Sequence, residues 1–378
     1  MRFVPVIALT EGVAVHPRGV LLVFFPMYAV TRGLFACLLL APACGGDDGG
    51  NDGADDGADG SDGSDGGDDG AEEWQLVADD LPAALLSVWG SSENDVWVVG
   101  GEDGDGAGPA VFHYDGAAWT RLDTGLTDNT DIWWVFGFEG GPVFLGGEKG
   151  TILRYQDGEF EQLTTPGVAT VFGIWGASPD DVWAVGGNLT GGGFAWRFDG
   201  AEWTAVTEVP AEITGPGTIW KVAGTSADEV WMSATGGITL HWNGELLQEN
   251  TDTDASLFSV SGNSERFITV GGDFGGVIYE NEGDGWTSVL EPGDSELLSG
   301  VVVRDDLAYA VGRFGTILNR GSEGWVEEEG ELLTQENLHA AWIDPGGGVW
   351  VVGGQFDLPA TTSGVLLHKG NPIQGPLP

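Results

Sequence analysis

One pattern of apolar and polar positions recurs along most of the chain. Residues 85–100 (LLSVWGSSENDVWVVG) hold an apolar run, a polar turn, a second apolar run and a closing glycine. The fifth residues of the seven copies are Trp89, Phe136, Trp175, Ala223, Ser261, Val301 and Trp342. Steps of 38 to 48 residues separate them, and this period, built from short apolar runs, is typical of β-propeller blades. The pattern therefore predicts an all-β, seven-bladed β-propeller over residues 72–370.

A third apolar run in each copy ends in a turn dipeptide, as at Asp115-Gly116 and Asp157-Gly158. Such dipeptides between apolar runs predict tight hairpins, because type I′ turns require positive φ. A further short run, headed by Trp119 in the first copy, follows the turn. Each blade should therefore contain four antiparallel strands, here called a to d in chain order.

The seventh copy stops after its c strand (VLLHKG, ending at Gly370). Its missing d strand is found near the other end, where Trp74 stands 15 residues before Trp89, as Phe160 does before Trp175. We therefore expect the N-terminal strand to complete the last blade, which joins the ends of the ring and removes sheet edges.

The repeats resemble those of a known group of propellers. The units VWGSSENDVWVVGG, GASPDDVWAVGG, GTILRYQDG and DGAAWT are similar to degenerate BNR/Asp-box repeats, such as those of the photosystem II assembly factor-like propellers and of bacterial propeller lipoproteins. The resemblance covers about residues 72–370. It implies a fold and little about activity, because these boxes are folding elements.

The N-terminal segment has the layout of an export signal. In residues 27–44 (MYAVTRGLFACLLLAPAC), Arg32 precedes an apolar stretch and small residues lead to Cys44. This ending resembles a bacterial lipobox, so residues 1–44 are predicted to be a leader, with Met27 as a possible true start and Cys44 as the lipidated residue. Cys37 is the alternative lipidation site, and an uncleaved membrane anchor is the alternative to cleavage. The prediction places the protein at a bacterial cell envelope, at the outer membrane or cell surface.

Residues 45–71 are almost entirely aspartate and glycine. Such a segment has no apolar side chains whose burial could offset the conformational entropy lost on folding, so we predict a disordered linker. Specific calcium binding is a second interpretation, but the tract lacks the spacing of known calcium loops. Residues 371–378 remain as a C-terminal tail.

Charge narrows the range of partners. The formal net charge is −46, which argues against nucleic acid and against anionic lipid surfaces as ligands. Membrane contact is expected through the lipid anchor alone. A basic protein surface, a glycan or a cation remains compatible with the charge. Both cysteines lie in the leader, so the propeller has no disulfide.

No cofactor or metal site is predicted. His113, His241 and His368 occupy one repeat position in three different blades, whereas zinc ligands must converge on a single ion. The tryptophans also recur at repeat positions, and most are expected in the core between blades.

Sialidases share BNR repeats, but they need an arginine cluster, and here Arg121, Arg154 and Arg197 fall on outer strands of successive blades. Another glycan hydrolase remains an alternative, since paired carboxylates could serve it. The recurring acids before the b strands, Asp95, Asp181 and Glu229, are more simply interpreted as turn residues.

The blades differ in one set of loops. The b–c connections share one face of the disc with the d–a connections, and they are longest in the first, third and seventh blades. Variable loops on a rigid scaffold are a usual place for binding. Loops 101–110 and 354–364 should be neighbours in a closed ring. The candidate ligand-binding residues of this face are Glu102, Asp103, Asp105, Phe194, Phe356 and Asp357.

The sequence therefore predicts an exported, lipid-anchored propeller, monomeric and non-enzymatic, that binds a protein or glycan at the cell envelope. A glycan hydrolase and a purely structural envelope lipoprotein are the alternatives.

Overall fold

The computed structural model describes residues 73–104, 106–127, 129–188, 191–290, 293–328, 333–356 and 361–378. Their strands form seven four-stranded antiparallel sheets, which confirms the predicted all-β, seven-bladed propeller. The predicted leader with Cys44 and the Asp/Gly linker lie outside the described residues. No helix in the described part of the chain has the length and apolarity that a membrane crossing requires.

The chain begins its first strand, β1 (Trp74–Leu81), in the last blade. The strands of the first four blades, each from a to d, are β2 (Leu85–Ser92), β3 (Asp95–Glu102), β4 (Pro109–Tyr114) and β5 (Trp119–Arg121); β6 (Ile132–Gly137), β7 (Val143–Gly147), β8 (Ile152–Gln156) and β9 (Glu159–Gln162); β10 (Thr170–Ser178), β11 (Asp181–Asn188), β12 (Gly191–Phe198) and β13 (Trp203–Ala205); and β14 (Ile219–Ser226), β15 (Glu229–Ala234), β16 (Ile238–Trp242) and β17 (Leu246–Asn250).

The remaining blades follow the same order. Their strands are β18 (Leu257–Gly262), β19 (Phe267–Gly272), β20 (Gly276–Asn281) and β21 (Thr287–Ser288); β22 (Leu298–Arg304), β23 (Leu307–Gly312), β24 (Ile317–Gly321) and β25 (Gly324–Glu327); and β26 (Leu338–Ile343), β27 (Val349–Gln355) and β28 (Thr362–Lys369), to which β1 adds the fourth strand. One α-helical turn, α1 (Ala211–Thr214), lies in the connection between the third and fourth blades. In the described part of the chain, two 3₁₀ turns, Glu148–Gly150 and Arg313–Gly315, lie in the b–c connections of the second and sixth blades.

The ring closes in the predicted register. Trp74 pairs with Lys369, as Trp119 pairs with Tyr114 in the first blade. Lys369 also lies over the Trp74 ring at 5.7 Å from its centroid. The N-terminal strand is therefore the d strand of the seventh blade, and the predicted closure is confirmed.

Aromatic side chains fill the space between blades, where each sheet packs its apolar face on the next. At the junction of the last and first blades, Trp119 packs edge-on against the fully buried Trp350, with ring centroids 6.2 Å apart. Tyr114 contacts both rings. The prediction that most tryptophans belong to this core is confirmed at such junctions.

The c–d turns differ from the prediction in part. At Asp157-Gly158 both residues have positive φ, as a type I′ turn requires. At Asp115-Gly116 only Gly116 does, with φ of 86°. There the Asp115 carboxylate accepts hydrogen bonds from the N–H groups of Ala117 and Ala118 at 2.9 Å, and this longer turn replaces the tight one.

Candidate binding cavity at the channel mouth

A β-bulge recurs at the start of the a strands. Leu85 pairs with Gly100 and Ser87 with Val99, so Leu86 has no partner of its own, and the same shift occurs in the other six a–b pairs. A bulge re-aims the side chain of its extra residue. The seven bulge residues are Leu86, Trp133, Phe172, Trp220, Phe258, Ser299 and His339.

Four consecutive blades place an aromatic residue at this position. Trp133 contacts Phe172 with ring centroids 5.2 Å apart, Phe172 contacts Trp220 at 5.2 Å, and Trp220 contacts Phe258 at 5.4 Å. His339 continues the series on the other side of Trp133 at 5.8 Å. Because the a strands line the central axis of a propeller, these rings form a partial aromatic collar around the channel.

The collar lines a cavity of about 510 Å³, a size suited to a small ligand. Bulge residues from six of the blades contribute to its wall, all except Leu86. Residues at the ends of b strands, including Asn188 and Phe356, form its rim. The cavity therefore opens on the face that carries the b–c and d–a connections.

Lys221 lies at the base of this wall. It follows Trp220 in strand β14 and is only 4% exposed, whereas Trp220 is half-buried. Its Nζ donates a 2.8 Å hydrogen bond to the Phe172 carbonyl and lies 4.4 Å from the centroid of the Trp134 ring. Burial lowers the pKa of Lys221 to about 7, because desolvation disfavours the charged amine.

His339 is the second buried titratable group of the cavity. Burial lowers its pKa to about 3, and the nearby charge of Lys221 acts in the same direction. Its Nδ1 forms a hydrogen bond with the Leu86 carbonyl of the first blade, an arrangement that requires a protonated Nδ1. At neutral pH the imidazole is therefore neutral, and it ties the seventh blade to the first across the channel wall.

Two further charged residues line the cavity. Glu148 receives a 3.5 Å hydrogen bond from the Asp131 N–H. Arg313 begins the 3₁₀ turn of the sixth blade, and no ion pair of its side chain is found among the described residues. The described lining of this cavity thus holds two basic residues, Lys221 and Arg313, and one acidic residue, Glu148.

The sequence-predicted ligand-binding residues lie in different surroundings. Phe356 lines the cavity and packs edge-on against His339, with ring centroids 4.9 Å apart. Glu102 donates its N–H to Asp131 at 2.8 Å. Asp103 points toward the outer strand, where its carboxylate is 3.7 Å from Arg121. That these residues bind a ligand stays a prediction.

Phe194 lies away from the cavity, stacked on Trp196 with ring centroids 3.9 Å apart, at the edge of the core between the second and third blades. Asp105 and Asp357 lie outside the described residues. The structure therefore brings Phe356 alone among the described candidates to the cavity wall.

The first-blade and seventh-blade loops are in contact, as the ring order predicts. A Cβ on Gly101 would fall 2.0 Å from Thr361 Oγ1, so the Thr361 side chain packs directly on the backbone of Gly101 and leaves no room for a side chain there. Asp131 joins them, because it accepts the Glu102 N–H and lies 3.5 Å from the Thr361 hydroxyl.

Among the described residues, two exposed phenylalanines lie in short b–c connections of this face. Phe274 is fully exposed and Phe314 is more than half exposed. Phe314 also has a φ of 55°, a conformation that costs a non-glycine residue about 1 to 3 kcal/mol. The sequence carries a signal for both, since Asp273-Phe274-Gly275 and Arg313-Phe314-Gly315 place an aromatic residue inside a turn, but both turns are short and loop length favours the first, third and seventh blades.

The recurring acids before the b strands have a definite role. Asp95 accepts a 2.7 Å hydrogen bond from His113, and Asp181 accepts one of 2.7 Å from Arg197. Glu229 lies 3.2 Å from His241. Asp95 and Asp181 therefore hold a c-strand side chain by a hydrogen bond, whereas Glu229 accepts its hydrogen bond from the Trp231 indole at 2.7 Å. These contacts go beyond the turn role expected from the sequence. No group of three or more His, Cys, Asp or Glu residues suited to a metal ion occurs in the described part of the chain.

A second cavity of about 510 Å³ lies on the opposite face, between the fourth and fifth blades. Its lining includes His241, stacked on Trp231 with ring centroids 4.1 Å apart, and Arg266, which is 3.6 Å from Glu282. Its charged groups are thus paired within the protein. The channel cavity, with its unneutralised amine, is the better candidate site.

No protein-family model matches the chain, and no curated protein matches it. Solved structures match its fold. A streptogramin B lyase superposes with a TM-score of 0.63 at 12% identity, over 79% of this chain and 98% of the lyase. YCF48 from Cyanidioschyzon merolae superposes with a TM-score of 0.58 at 16% identity, over 78% of this chain and 98% of YCF48.

A structure of YCF48 bound to D1 peptide gives a TM-score of 0.59 at 16% identity, over 79% of this chain and 97% of that one. At such identities the likeness establishes the fold alone. The chain is a seven-bladed β-propeller whose structural neighbours include a lyase and a peptide-bound protein.

Proposed function

We propose that this protein is a non-enzymatic binding module of the bacterial cell envelope that engages a protein or glycan through the face carrying the b–c and d–a connections. The chain is monomeric in this proposal and held at the outer membrane or cell surface by a lipid on Cys44. The anchor rests on the signal-like residues 27–44 and the Asp/Gly tract after them.

One observation carries the proposal: exposed aromatic side chains and an aromatic cavity occur together on a single face. Phe274 and Phe314 project from neighbouring blades, and Phe356 lines the cavity beside them. Exposed aromatic residues are enriched where proteins bind partners, because they add contact area at low entropic cost. The peptide held by YCF48 supports a protein ligand for a propeller of this architecture.

The experiment compares two faces of the disc. The soluble propeller, residues 72–378, carries either Phe274→Ser with Phe314→Ser or the control Leu307→Ser. Leu307 is also an exposed apolar residue, but it starts strand β23 after an a–b turn and so lies on the opposite face. Both proteins and the parent are used for capture from an envelope extract and on a glycan array.

Loss of the captured ligand in the double phenylalanine variant, with retention in Leu307→Ser, is the expected result. Equal binding by all three proteins would place the ligand elsewhere. Absence of binding by the folded parent would favour the purely structural role.

We also infer that the c–d turns are degenerate Asp-box turns. The support is the Asp115 carboxylate, which accepts two backbone N–H groups, and Asp199, which does the same with Ala201 and Glu202 at 2.9 Å. In both turns the aspartate acts on its own hairpin, which agrees with a folding role for the box.

A further inference from the structure

The channel cavity contains a buried amine that no carboxylate of the described residues pairs with. Lys221 is 4% exposed, and among the described residues its amine has a single hydrogen-bond acceptor, the Phe172 carbonyl. Burial is the one cause of its lowered pKa, and no carboxylate raises it. A buried ammonium is costly without an anion, so a bound anion would restore its charge and gain a strong hydrogen bond.

The surroundings of Lys221 restrict the ligand further. The wall above the amine is aromatic, with Trp133, Trp220 and Phe258 partly exposed to the cavity. Flat rings pack well against such side chains. The volume of about 510 Å³ suits a small molecule, since ligand pockets usually lie between about 300 and 1,000 Å³.

A cationic ligand is the obvious alternative, because aromatic collars also attract cations. Here the amine of Lys221 already occupies the face of Trp134, 4.4 Å from the ring centroid. Arg313 adds a second positive charge to the lining. Glu148 is the one carboxylate among the described lining residues, and it already accepts the Asp131 N–H. The two basic groups outnumber it, so the charge of the lining favours an anion over a cation.

We propose that the channel cavity binds a small aromatic carboxylic acid, with its carboxylate on the Lys221 amine and its ring between Trp220, Trp133 and Phe258. Binding is non-covalent. This site is distinct from the exposed rim that is proposed to dock a macromolecule, because docking on the rim does not require the buried amine. Lys221 is the specificity-determining residue, and Arg313 steers the anion at the entrance.

The test measures binding to the soluble propeller, residues 72–378, by calorimetry and tryptophan fluorescence. The probes are phenylacetate and indole-3-acetate, with phenylacetamide and phenethylamine as neutral and cationic matches. The variants are Lys221→Met and, as control, Lys369→Met. Lys369 is also a partly buried lysine near aromatic rings, but it pairs with Glu328 at 3.1 Å on the outer edge of the seventh blade.

We expect both acids to bind the parent and Lys369→Met alike, and phenylacetamide to bind about 10- to 100-fold more weakly than phenylacetate. Lys221→Met should bind the two acids more weakly than the parent by the same factor, and it should bind phenylacetamide with the parent's affinity. At pH 8, binding of the acid should take up a proton, because the carboxylate raises the pKa of an amine that titrates near 7. Buffers of different ionisation enthalpy reveal this uptake, and Lys221→Met should abolish it.

Three results would overturn the proposal: no binding of either acid to the folded parent, equal affinity for acid and amide, or a proton uptake that persists in Lys221→Met. A tetrapeptide ending in phenylalanine, with a free or amidated end, tests whether the carboxylate comes from a protein instead. Tighter binding of the free-ended peptide than of phenylacetate would overturn the assignment to a small acid. The Phe274→Ser, Phe314→Ser variant should keep its affinity for phenylacetate, so the two proposals fail separately.

Discussion

A single glycine changes the chemistry of one blade. Gly348 stands in the seventh blade at the repeat position that Asp95 holds in the first and Glu229 in the fourth. A Cβ there would fall 2.4 Å from Asp344 Oδ2, because Asp344 folds back to accept the Gly346 N–H. His368 consequently has no carboxylate of this type, and both its ring nitrogens lack a hydrogen-bond partner among the described residues.

Acid should destabilise the protein through His368. Burial lowers its pKa to about 4, although Asp344 and Glu93 act in the opposite direction. The unfolded chain, with a histidine pKa near 6.5, binds the proton first, so stability falls as pH drops from about 6.5 to 4, by at most about 1.4 kcal/mol per pH unit. His339, with a pKa of about 3, adds a similar slope. Urea unfolding of the parent and of His368→Phe between pH 7 and 4.5 should show a shallower decline in the variant; equal slopes would contradict this account.

The Glu280–Arg320 pair should contribute more stability than an exposed ion pair. Burial raises the pKa of Glu280, but two 2.8 Å hydrogen bonds from Arg320 and one from Trp325 outweigh it, and the net shift is downward. We expect Arg320→Met to cost about 2 to 3 kcal/mol of unfolding free energy, because it leaves a buried carboxylate with one donor.

The matched control for that pair is Arg154→Met, whose partner Glu161 is 60% exposed. It should cost about 0 to 1 kcal/mol. Chemical denaturation at pH 7 compares the two variants, and similar losses would mean that burial of Glu280 adds nothing.

At the scale of strands, the repeat made the architecture predictable. The spacing of the apolar runs and the position of Trp74 before Trp89 set the blade number and the closing strand. The cavity was not predictable in the same way. In sequence, Trp133 and Trp220 look like the core tryptophans of other a-type strands. They face the channel only because a β-bulge places each of them between two paired residues, and a bulge depends on strand register, which the sequence pattern does not show. Lys221 is one residue beyond, in an apolar strand with no acidic neighbour in sequence to mark it.

Strand β1 should be essential for the ring. Deleting residues 72–78 removes the partner of β28 and the Trp74 contact with Tyr309, whose ring centroids are 6.2 Å apart. Trp74 is half-buried, so its packing contributes up to about 1.5 to 3 kcal/mol, and the open edge favours aggregation. Thermal melting and light scattering should show a much lower Tm and aggregates. Deletion of residues 45–70 is the control and should leave the Tm nearly unchanged; equal effects would refute a specific role for β1.

At the scale of the whole molecule, charge opposes compactness. The formal net charge is −46, so the excess carboxylates repel one another in the folded protein. Salt weakens this repulsion, because at 0.1 M it screens charges that are more than about 10 Å apart. The Tm should therefore rise as NaCl increases from 0.02 to about 0.5 M. CaCl₂ at matched ionic strength should give the same rise if counterions bind diffusely. A larger effect of calcium that disappears when residues 45–70 are deleted would support the calcium interpretation of that tract.

Lipidation is the second whole-molecule prediction. Expressed in a bacterial host, the full chain should incorporate labelled palmitate and fractionate with membranes, because residues 27–44 have the layout of a lipoprotein signal. Cys44→Ala should lose the label and become soluble. Cys37→Ala is the matched control and should keep both properties. Full labelling of Cys44→Ala would move the anchor to Cys37 or exclude lipidation.

The pairing of β1 with β28 also determines when the molecule can be completed during synthesis. Gln75 donates its side-chain N–H to the carbonyl of Gly370, 295 residues later, so among the described strands β1 is made first and must wait for β28. Closing so long a loop is slow and entropically costly before its contacts form. A chain that terminates before β28 would leave β1 without its partner and the last sheet with an open edge. Both would be accessible to proteases. We therefore expect full-length translation products to resist proteolysis longer than truncated ones.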